Sequence, residues 1–421
     1  MLMKIAMVVP QFPCFGETYI LSQITGLIDL GQEVDVIAVN PSGESTIHED
    51  VFRYKLLERT RYLHLNEQYG KSFLARLRNG CVCFAQNFWQ DPRSTLSTLN
   101  PFRYGRQALR LAYLFRLQPF IKTQYDVVHC HFGPNARSFL FLKDIRPVRL
   151  LASFHGYDFS RVLREQGREF YRELFERADW ITVNSQYGRE KLLAAGGNDE
   201  KMSVLPESLP TERFVFRERT LPPGKPLRIL TVARLFEKKG YEYSVRAVAK
   251  VAERFPNLVY WIVGDPNGPA APRIRELIRE LDMEDRIQIL GTKTREQLIE
   301  IQQQCHLFVL ASVTASDGDE EGQGLVLQEA QAAGMPVLAT RHNGLPESLV
   351  DGESGFLVPE RDVDALAERI HFLATHPGLW PAMGNAGRAF VESKFDSNKL
   401  NLRLLELYQG IQAEEFAASK G

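Results

Sequence analysis

Short apolar runs alternate with stretches of helical period along the whole chain. KIAMVV at 4–9 and VDVIAV at 34–39 predict strands, and the pattern over 19–29 predicts a helix between them. Further strands are predicted at 126–132, 150–156 and 180–185. Because strands that alternate with helices form parallel sheets with helices on both faces, the pattern predicts an α/β fold.

The alternation stops at FRERTLPPGKP, 216–226, which has the composition of a linker, and then restarts. The second run predicts strands at 227–235, 258–264, 286–291, 306–312 and 337–340, and helices at 241–254 and 273–281. A helical stretch over 362–416 follows. The chain is therefore expected to form two doubly wound, Rossmann-like domains, 1–215 and 227–395, which face a cleft, and a C-terminal helix within 396–421 that could pack back on the first domain. Ligands of such folds bind outside the carboxyl ends of the strands.

Composition excludes several classes of protein. The 421 residues are 44% hydrophobic and 24% charged with a net charge of −1, which is ordinary for a globular protein and gives no reason to expect nucleic-acid binding. Five scattered cysteines without a Cys-x-x-Cys pair are typical of free thiols in a reducing cytoplasm. The first apolar run breaks at Pro10 and is interpreted as a strand rather than a signal peptide. No run is as long as a transmembrane helix.

The segment EEGQGLVLQEAQAAGMPVLAT, 320–340, predicts a loop, a helix and a strand. Gly322 and Gly324 allow a backbone turn that can approach a ligand closely, and the helix N-terminus that follows favours negative charge. Glu321 stands at the mouth of the loop, and Glu329 lies about two turns along the helix. Two carboxylates beside an anion site indicate a ligand with both phosphate and hydroxyl groups. The alternative is a pair of solvated glutamates on a surface helix.

Two cations are predicted at the carboxyl end of another strand. Arg234 follows the strand, and Lys239 precedes a glycine and a helix, so both could bind phosphate. The alternative is a charged, exposed turn. In the first domain His155 and Asp158 follow a strand, where the imidazole could contact a sugar hydroxyl. A histidine satisfied by the backbone is the competing interpretation.

Other motifs carry no predicted chemistry. His129 and His131 share one face of a strand but lack further ligands, so no metal is expected there. The Asp317-Gly318-Asp319 segment lacks the spacing of a calcium loop and is interpreted as a solvated acidic loop. No Gly-x-Gly-x-x-Gly follows Val9, which disfavours dinucleotide binding at the first strand.

Four motifs together resemble the retaining glycosyltransferases of family four, which have the two-domain GT-B architecture. They are FPCFGETYI, HGYDFS, VARLFEKKG, and Glu321-x7-Glu329 with its GMPVLAT continuation. The segment SVTASDGDEEGQG resembles sequences of the bacterial branch that builds exopolysaccharides, the colanic-acid type. The resemblance implies an acceptor-binding first domain and a nucleotide-sugar-binding second domain.

The same resemblance implies roles for individual residues. Arg234 and Lys239 would bind the donor diphosphate, and Glu329 would accept the ribose hydroxyls. His155 would contact the donor sugar near the reacting centre. Glu321, with the backbone of Gly322, Gln323 and Gly324, would hold the transferred sugar. Gly16 would lie under the diphosphate, and Leu325 would be a further donor contact. The chain departs from the family pattern at 15–18, where the family often has Gly-Gly, and at PESLP, 206–210.

The activity that follows from the resemblance is a hexosyltransferase without a metal or other cofactor. Its donor would be a nucleotide-diphosphate sugar, with a UDP-sugar as the first candidate and GDP-mannose as the second. Its acceptor would be a saccharide or a lipid-linked saccharide in polysaccharide biosynthesis. Retention would arise by attack on the same face of the sugar. Two alternatives stay open: a nucleotide-sugar 2-epimerase, and a nucleotide-sugar-binding subunit without catalysis.

The near-neutral total charge hides a basic segment between residues 53 and 122. The acidic residues there are only Glu58, Glu67 and Asp91, against thirteen arginines and lysines with aromatic residues interleaved. We interpret it as a peripheral contact with the anionic inner face of the membrane, where a lipid-linked acceptor would be found. The alternative is that the arginines pair with acids elsewhere and the aromatics are core.

Overall fold

The alternation along the sequence produces one parallel β-sheet in each half of the chain. A computed structural model describes residues 2–14, 16–44, 47–65 and 72–418, with the side chains of the last helix described as far as residue 413. Within these residues, every pair of neighbouring strands is parallel. The predicted α/β fold with two Rossmann-like domains is confirmed.

The first sheet has seven strands in the order β3-β2-β1-β4-β5-β6-β7. Their bounds are β1 Lys4–Phe12, β2 Glu33–Pro41, β3 Thr60–Tyr62, β4 Val127–His131, β5 Arg149–Phe154, β6 Trp180–Val183 and β7 Met202–Val204. The strand order reverses between β1 and β4, and such a switch point opens a crevice at the carboxyl ends of the strands.

The second sheet has six strands in the order β10-β9-β8-β11-β12-β13. Their bounds are β8 Leu227–Val232, β9 Leu258–Val263, β10 Ile287–Gly291, β11 Leu307–Leu310, β12 Val337–Thr340 and β13 Gly355–Val358. Its switch point lies between β8 and β11, so the loops after these strands are placed to bind a ligand.

The helices pack on both faces of the two sheets. In the described residues the α-helices are α1 Thr18–Asp29, α2 Glu49–Arg53, α3 Phe73–Phe88, α4 Pro92–Thr98, α5 Pro101–Tyr104, α6 Arg106–Leu109, α7 Ala112–Ile121, α8 Gly133–Phe139, α9 Leu142–Ile145, α10 Arg161–Gln166, α11 Arg172–Arg177, α12 Gln186–Ala194, α13 Tyr241–Arg254, α14 Ala271–Glu280, α15 Arg295–Gln304, α16 Leu325–Ala332, α17 Val363–Thr375, α18 Trp380–Lys394 and α19 Ser397–Ala418.

Helix α13 shows why the long helices form where the pattern places them. Its buried residues recur three and four positions apart, among them Tyr241, Val245, Val248 and Val251, so one stripe faces the sheet. Gly240 precedes the helix in the left-handed conformation at φ 65°, and a Cβ there would stand 1.7 Å from a backbone oxygen of Ala311. The position therefore requires glycine.

The structure differs from the predicted elements at sheet edges and in the last part of the chain. Strands β3 and β7 have three residues each, too few to give a recognisable run, and β13 was also not predicted; all three lie at the edges of their sheets. The helical stretch predicted over 362–416 is divided into α17, α18 and α19. Residues 419–421 of the predicted terminal segment lie outside the described residues.

The connection between the domains is packed against the second domain. Arg219, within 216–226, is buried, and its guanidinium donates to the backbone oxygen of Ala333. Burial lowers the pKa of Arg219 to about 10. Helix α19 returns to the first domain, where Leu404 and Tyr408 join the hydrophobic core beneath α1.

Candidate functional site

The loop that follows β11 meets the first domain in the space between the domains. Gly322, in the loop before α16, packs so closely on the first domain that an added Cβ would stand 2.5 Å from the His155 backbone oxygen. From the first domain, Tyr187 donates from its hydroxyl to Glu320 over 2.9 Å. The segment 320–324, which we call the donor loop after its predicted role, therefore forms part of the domain interface as well as a wall of the cleft.

Lys239 and Glu321 are brought together as a buried ion pair. The side chains of both are only 12% exposed, and the ammonium of Lys239 donates to Oε2 of Glu321. Burial by itself would raise the pKa of Glu321, but the charges of Lys239 and Lys238 outweigh it and hold the pKa at about 2. Burial lowers the pKa of Lys239, and the attraction of Glu321 opposes that shift.

Arg234 is the exposed cation of the site. Its guanidinium lies 4.9 Å from the centre of the Phe236 ring. This contact holds the guanidinium in place, and the side chain remains exposed. The positive charge of Arg234 acts on Glu17 of the first domain and on Lys239 of the second. Arg234 thus lies between the two domains, with its hydrogen-bonding groups accessible to a ligand.

The acidic loop at 317–319 differs from its prediction. Asp319 is not solvated, because it forms an ion pair with Lys238 at 3.0 Å and its side chain is 21% exposed. Asp317 is half-exposed and lies 3.3 Å from Arg161 of the first domain. In the described part of the chain no three histidine, cysteine or acidic side chains are grouped to hold a metal ion.

Glu329 lies on α16, which begins directly after the donor loop. Gly324 precedes this helix at φ 74°, where glycine is favoured, and no side chain caps the helix N-terminus. Glu329 is half-buried, and burial raises its pKa to about 7, against the opposing charge of Arg295. Leu325 packs against hydrophobic core of the first domain, so α16 starts at the interface.

The other two predicted donor contacts are of different kinds. Gly16 is exposed, and a Cβ there would meet no atom within 4 Å, so packing does not require glycine at this position. Its neighbour Phe15 lies outside the described residues. Gln323 uses its side-chain amide on the first domain, where it bonds the backbone of Glu207, and only its backbone is left for a donor.

His155 is held on several sides. Its backbone N–H donates to Asp158, as a histidine satisfied locally would, but its ring has further partners. Nδ1 lies 3.3 Å from Oε1 of Glu207, and Nε2 lies 3.0 Å from Nδ1 of His131. Asn184 donates to the same Glu207 oxygen over 2.9 Å. Contacts within the protein therefore fix the orientation of the His155 ring without a ligand.

The paired histidines of β4 belong to a buried polar network. The ring of His129 lies 2.7 Å from the Tyr408 hydroxyl and 2.6 Å from the Ser153 hydroxyl. His131 reaches His155 on one side and the sulfur of Met7 on the other. Burial lowers the pKa of both histidines, to about 3 for His129, so both rings are neutral at physiological pH.

Two acidic residues of the site were missed by the sequence reasoning. Glu17 follows β1, and burial raises its pKa to about 7, offset in part by the charges of His155 and Arg234. Glu207 follows β7 and touches His155. Both lie where the sequence departs from the family pattern, Glu17 in the first loop and Glu207 in PESLP, and that departure was the available signal.

Comparisons with known proteins identify the family of the chain. The family model described as Glycosyltransferase Family 4 matches residues 16–213, and the model described as Glycosyl transferases group 1 matches residues 212–390. The chain is 33% identical over 417 residues to the colanic acid biosynthesis glycosyltransferase WcaL of Escherichia coli (strain K12), covering 97% of this chain and 100% of WcaL. It is 31% identical over 414 residues to the amylovoran biosynthesis glycosyltransferase AmsK of Erwinia amylovora, covering 97% and 99%.

Solved structures show the same fold. A sucrose-phosphate synthase from Thermosynechococcus elongatus has a TM-score of 0.72 at 20% identity and covers 98% of this chain and 100% of its own. Anabaena Alr3699/HepE, in complex with UDP and glucose, has a TM-score of 0.71 at 18% identity and covers 97% and 100%. With two family models that together span both domains, and with full-length relatives above 30% identity, the chain belongs to the family-four glycosyltransferases and has the GT-B fold.

Proposed function

We propose that this glycosyltransferase moves a sugar from a nucleotide-diphosphate sugar to a saccharide or lipid-linked saccharide in exopolysaccharide biosynthesis. The observation that carries the proposal is the gathering of Arg234, Lys239 and Glu321 beside the N-terminus of α16. The names of the relatives WcaL and AmsK support the pathway. A UDP-sugar is the first candidate donor and GDP-mannose the second.

The charges of the site favour a leaving diphosphate. When the bond between the sugar and the diphosphate breaks, negative charge grows on the phosphate oxygens. Arg234, Lys239 and the positive end of α16 would stabilise it without a metal, at about 2–4 kcal/mol for each fixed donor in a closed site. A diphosphate beside Lys239 would also offset the burial that lowers the pKa of this lysine.

The carboxylates would hold the hydroxyl groups of the donor. Glu321 remains ionised because its pKa is about 2, so it can accept hydrogen bonds from the transferred sugar while paired with Lys239. Glu329, in the second turn of α16, would accept the ribose hydroxyls. His155 would contact the sugar from the first domain, and retention would follow from attack on the face that the diphosphate leaves.

A panel of nucleotide-sugars tests the donor. We expect one of them to raise the melting temperature in proportion to the logarithm of its concentration, and we expect Arg234→Ala to abolish that stabilisation. The same donor with extracted lipid-linked saccharides should give a glycosylated product. An epimerised nucleotide-sugar from donor alone would support the epimerase instead. Stabilisation without turnover on any acceptor would support a binding subunit.

The peripheral membrane contact is also part of the proposal, together with a cytoplasmic location. No helix in the described ranges is long and apolar enough to cross a membrane. Helices α3 to α7, which pack on one another, form the helical insert between β3 and β4. The insert exposes eight large apolar side chains: Phe73, Leu74, Leu77, Val82, Trp89, Leu96, Phe102 and Leu109.

The charges of the insert match an anionic surface. Its exposed basic residues include Arg78, Arg93, Arg106 and Arg110, and each could contribute about 1 kcal/mol beside anionic lipid. The structure also corrects the interpretation of the aromatics, because Phe115 is buried in the core and Tyr113 stacks on Phe141. Arg103 pairs with Asp144 at 2.6 Å. Lys71 and Glu67 lie outside the described residues.

Sedimentation with vesicles tests the membrane contact. The full chain should bind vesicles rich in anionic lipid at low salt and be released as salt rises. The double variant Trp89→Ser/Phe102→Ser should bind more weakly, whereas Leu379→Ser/Leu402→Ser, at exposed positions outside the insert, should bind as the unchanged protein does. Equal recovery in the supernatant with anionic and neutral vesicles would rule the contact out. A loss of self-association in the first variant would make the insert an interface between copies.

A further inference from the structure

Gln323 joins the two domains by a double hydrogen bond to the backbone of Glu207. The backbone N–H of Glu207 donates to Oε1 of Gln323 over 2.7 Å, and Nε2 of Gln323 donates to the backbone oxygen of Glu207 over 2.9 Å. Both residues are buried, and they are 116 positions apart in the chain. The donor loop of the second domain thus fixes the position of the Glu207 backbone in the first domain.

The side chain of the same glutamate reaches His155. Oε1 of Glu207 lies 3.3 Å from Nδ1 of His155 and accepts a hydrogen bond from Asn184. Asn184 uses its other N–H on the His155 backbone oxygen, over 2.8 Å. One continuous set of hydrogen bonds therefore leads from Gln323 through Glu207 to His155.

The carboxylate decides which ring nitrogen of His155 carries a proton. An ionised carboxylate only accepts hydrogen bonds, so Nδ1 must hold the proton that faces Glu207. Nε2 then faces Nδ1 of His131 at 3.0 Å. Without Glu207, a proton on either nitrogen of His155 could be accommodated, because Nδ1 would lose its only side-chain acceptor among the described residues.

We infer that Glu207 is a positioning residue that holds the ring orientation and the Nδ1–H form of His155, and that Gln323 connects this arrangement to contact between the domains. His155 has this ring orientation and the Nδ1–H form when the donor loop is docked on the first domain, because that loop fixes the backbone that carries Glu207. The inference rests on the proposed function in one respect, which is that His155 contacts the donor sugar.

The full-length chain labelled with ¹⁵N-histidine tests the inference through the ring signals of His155, assigned with His155→Gln. In Glu207→Ala we expect these signals to lose the Nδ1–H pattern and kcat to fall ten- to a hundredfold, about the effect of losing such an outer partner, with a smaller change in KM for the donor. Glu207→Gln should restore most of both, because an amide oxygen accepts the same Nδ1–H.

A second variant separates the two links. Gln323→Met removes the double hydrogen bond at similar volume and leaves the Glu207 side chain, so it should shift or broaden the His155 signals in the same direction. Glu347→Ala is the matched control: this carboxylate also crosses the interface, where it accepts from the backbone of Gln186 and Tyr187, but it does not touch His155. In Glu347→Ala the His155 ring signals should match those of the unchanged protein.

The outcomes are distinct. Unchanged His155 signals in Glu207→Ala would overturn the positioning role, and unchanged signals in Gln323→Met would overturn the link to domain contact. If no nucleotide-sugar were turned over, the proposed function would fail while the ring signals still decided the inference. A lower melting temperature with normal kcat and normal signals would make Glu207 a stabilising residue only.

Discussion

At the scale of single residues, burial separates the cations of the site into two kinds. Lys239 is enclosed with Glu321, and Arg234 is exposed against Phe236. The enclosed pair is part of the stability of the fold, because removing one partner leaves a buried charge uncompensated. The exposed arginine is available for a ligand and contributes little to the packing. Substitution of Lys239 should therefore affect both activity and stability, whereas substitution of Arg234 should affect activity alone.

Arg234→Ala should lower donor turnover by orders of magnitude and change the free energy of unfolding by no more than about 0.5 kcal/mol, as exposed substitutions do. Lys239→Ala should also inactivate the enzyme, but it should cost about 3–5 kcal/mol of stability. Denaturant unfolding and initial rates measure both. Normal turnover in a folded Arg234→Ala variant would remove this residue from the diphosphate site.

Glu329 gives a prediction about pH. Burial raises the pKa of its carboxyl from 4.5 to about 7, so between these values the folded protein holds a proton that the unfolded chain releases. This group therefore lowers stability as pH rises through that window, and its effect is constant above it. The ionised form accepts ribose hydroxyls best, so donor affinity should increase as pH rises through about 7 and then level off.

Calorimetric titration of the donor across this pH range checks the assignment. Glu329→Gln should bind more weakly and lose the increase with pH. Glu17→Gln is the matched control, since it removes another carboxyl whose pKa burial raises to about 7, and the increase should persist there. An increase that survives in Glu329→Gln and disappears in Glu17→Gln would transfer the pH dependence to the first loop.

At the scale of elements, helix α19 shows how a terminal segment becomes part of a distant domain. Its buried residues Leu400, Leu404, Tyr408 and Ile411 form a stripe of helical period that packs on the first domain. Asn401, on the same helix, donates to the Ser22 backbone oxygen of α1 over 3.1 Å. The helix therefore completes the first domain although it follows the second in the chain.

Tyr408→Phe tests this packing. It removes the hydroxyl that lies 2.7 Å from the buried His129 ring, and the unpaired ring nitrogen should cost about 1–3 kcal/mol in the free energy of unfolding. Leu402→Ala, at an exposed position of the same helix, should change it by no more than about 0.5 kcal/mol. Equal effects of the two substitutions in denaturant titrations would contradict the importance of the buried contact.

At the scale of the whole molecule, the two domains meet through polar contacts around the donor loop. Gln323, Glu320 and Glu347 all bond residues of the first domain. Across the cleft, the positive charge of Arg234 acts on Glu17 of the first domain. A donor bound as proposed would lie beside both kinds of charge.

Metal independence belongs to this scale, because it depends on the balance of charge in the cleft. Two cations and a helix N-terminus are available to the diphosphate, and Asp319 is already paired with Lys238. Activity should therefore survive excess chelator, measured beside a metal-dependent glycosyltransferase that the same chelator inactivates. Loss of activity that magnesium or manganese restores would assign a metal to the site and require a new role for the acidic loop.

The sequence by itself determined the longer strands, several helices and the residues at their ends. Apolar runs and helical period are local properties, so they placed β8 and α13 close to where they form. The same locality placed Arg234, Lys239 and Glu321 at the edge where parallel strands end. The resemblance supplied the family, which the comparisons confirm, because its motifs lie in these same loops.

Only the tertiary structure decided which of these groups touch. Lys239 and Glu321 are 82 positions apart, and Gln323 and Glu207 are 116 apart. Whether such residues meet depends on strand order and on how the two sheets face each other. The pairing of Asp319 with Lys238 and the burial of Phe115 escaped the sequence reasoning for the same reason. A side chain's charge is written in the sequence, but its partner and its burial depend on contacts between distant segments.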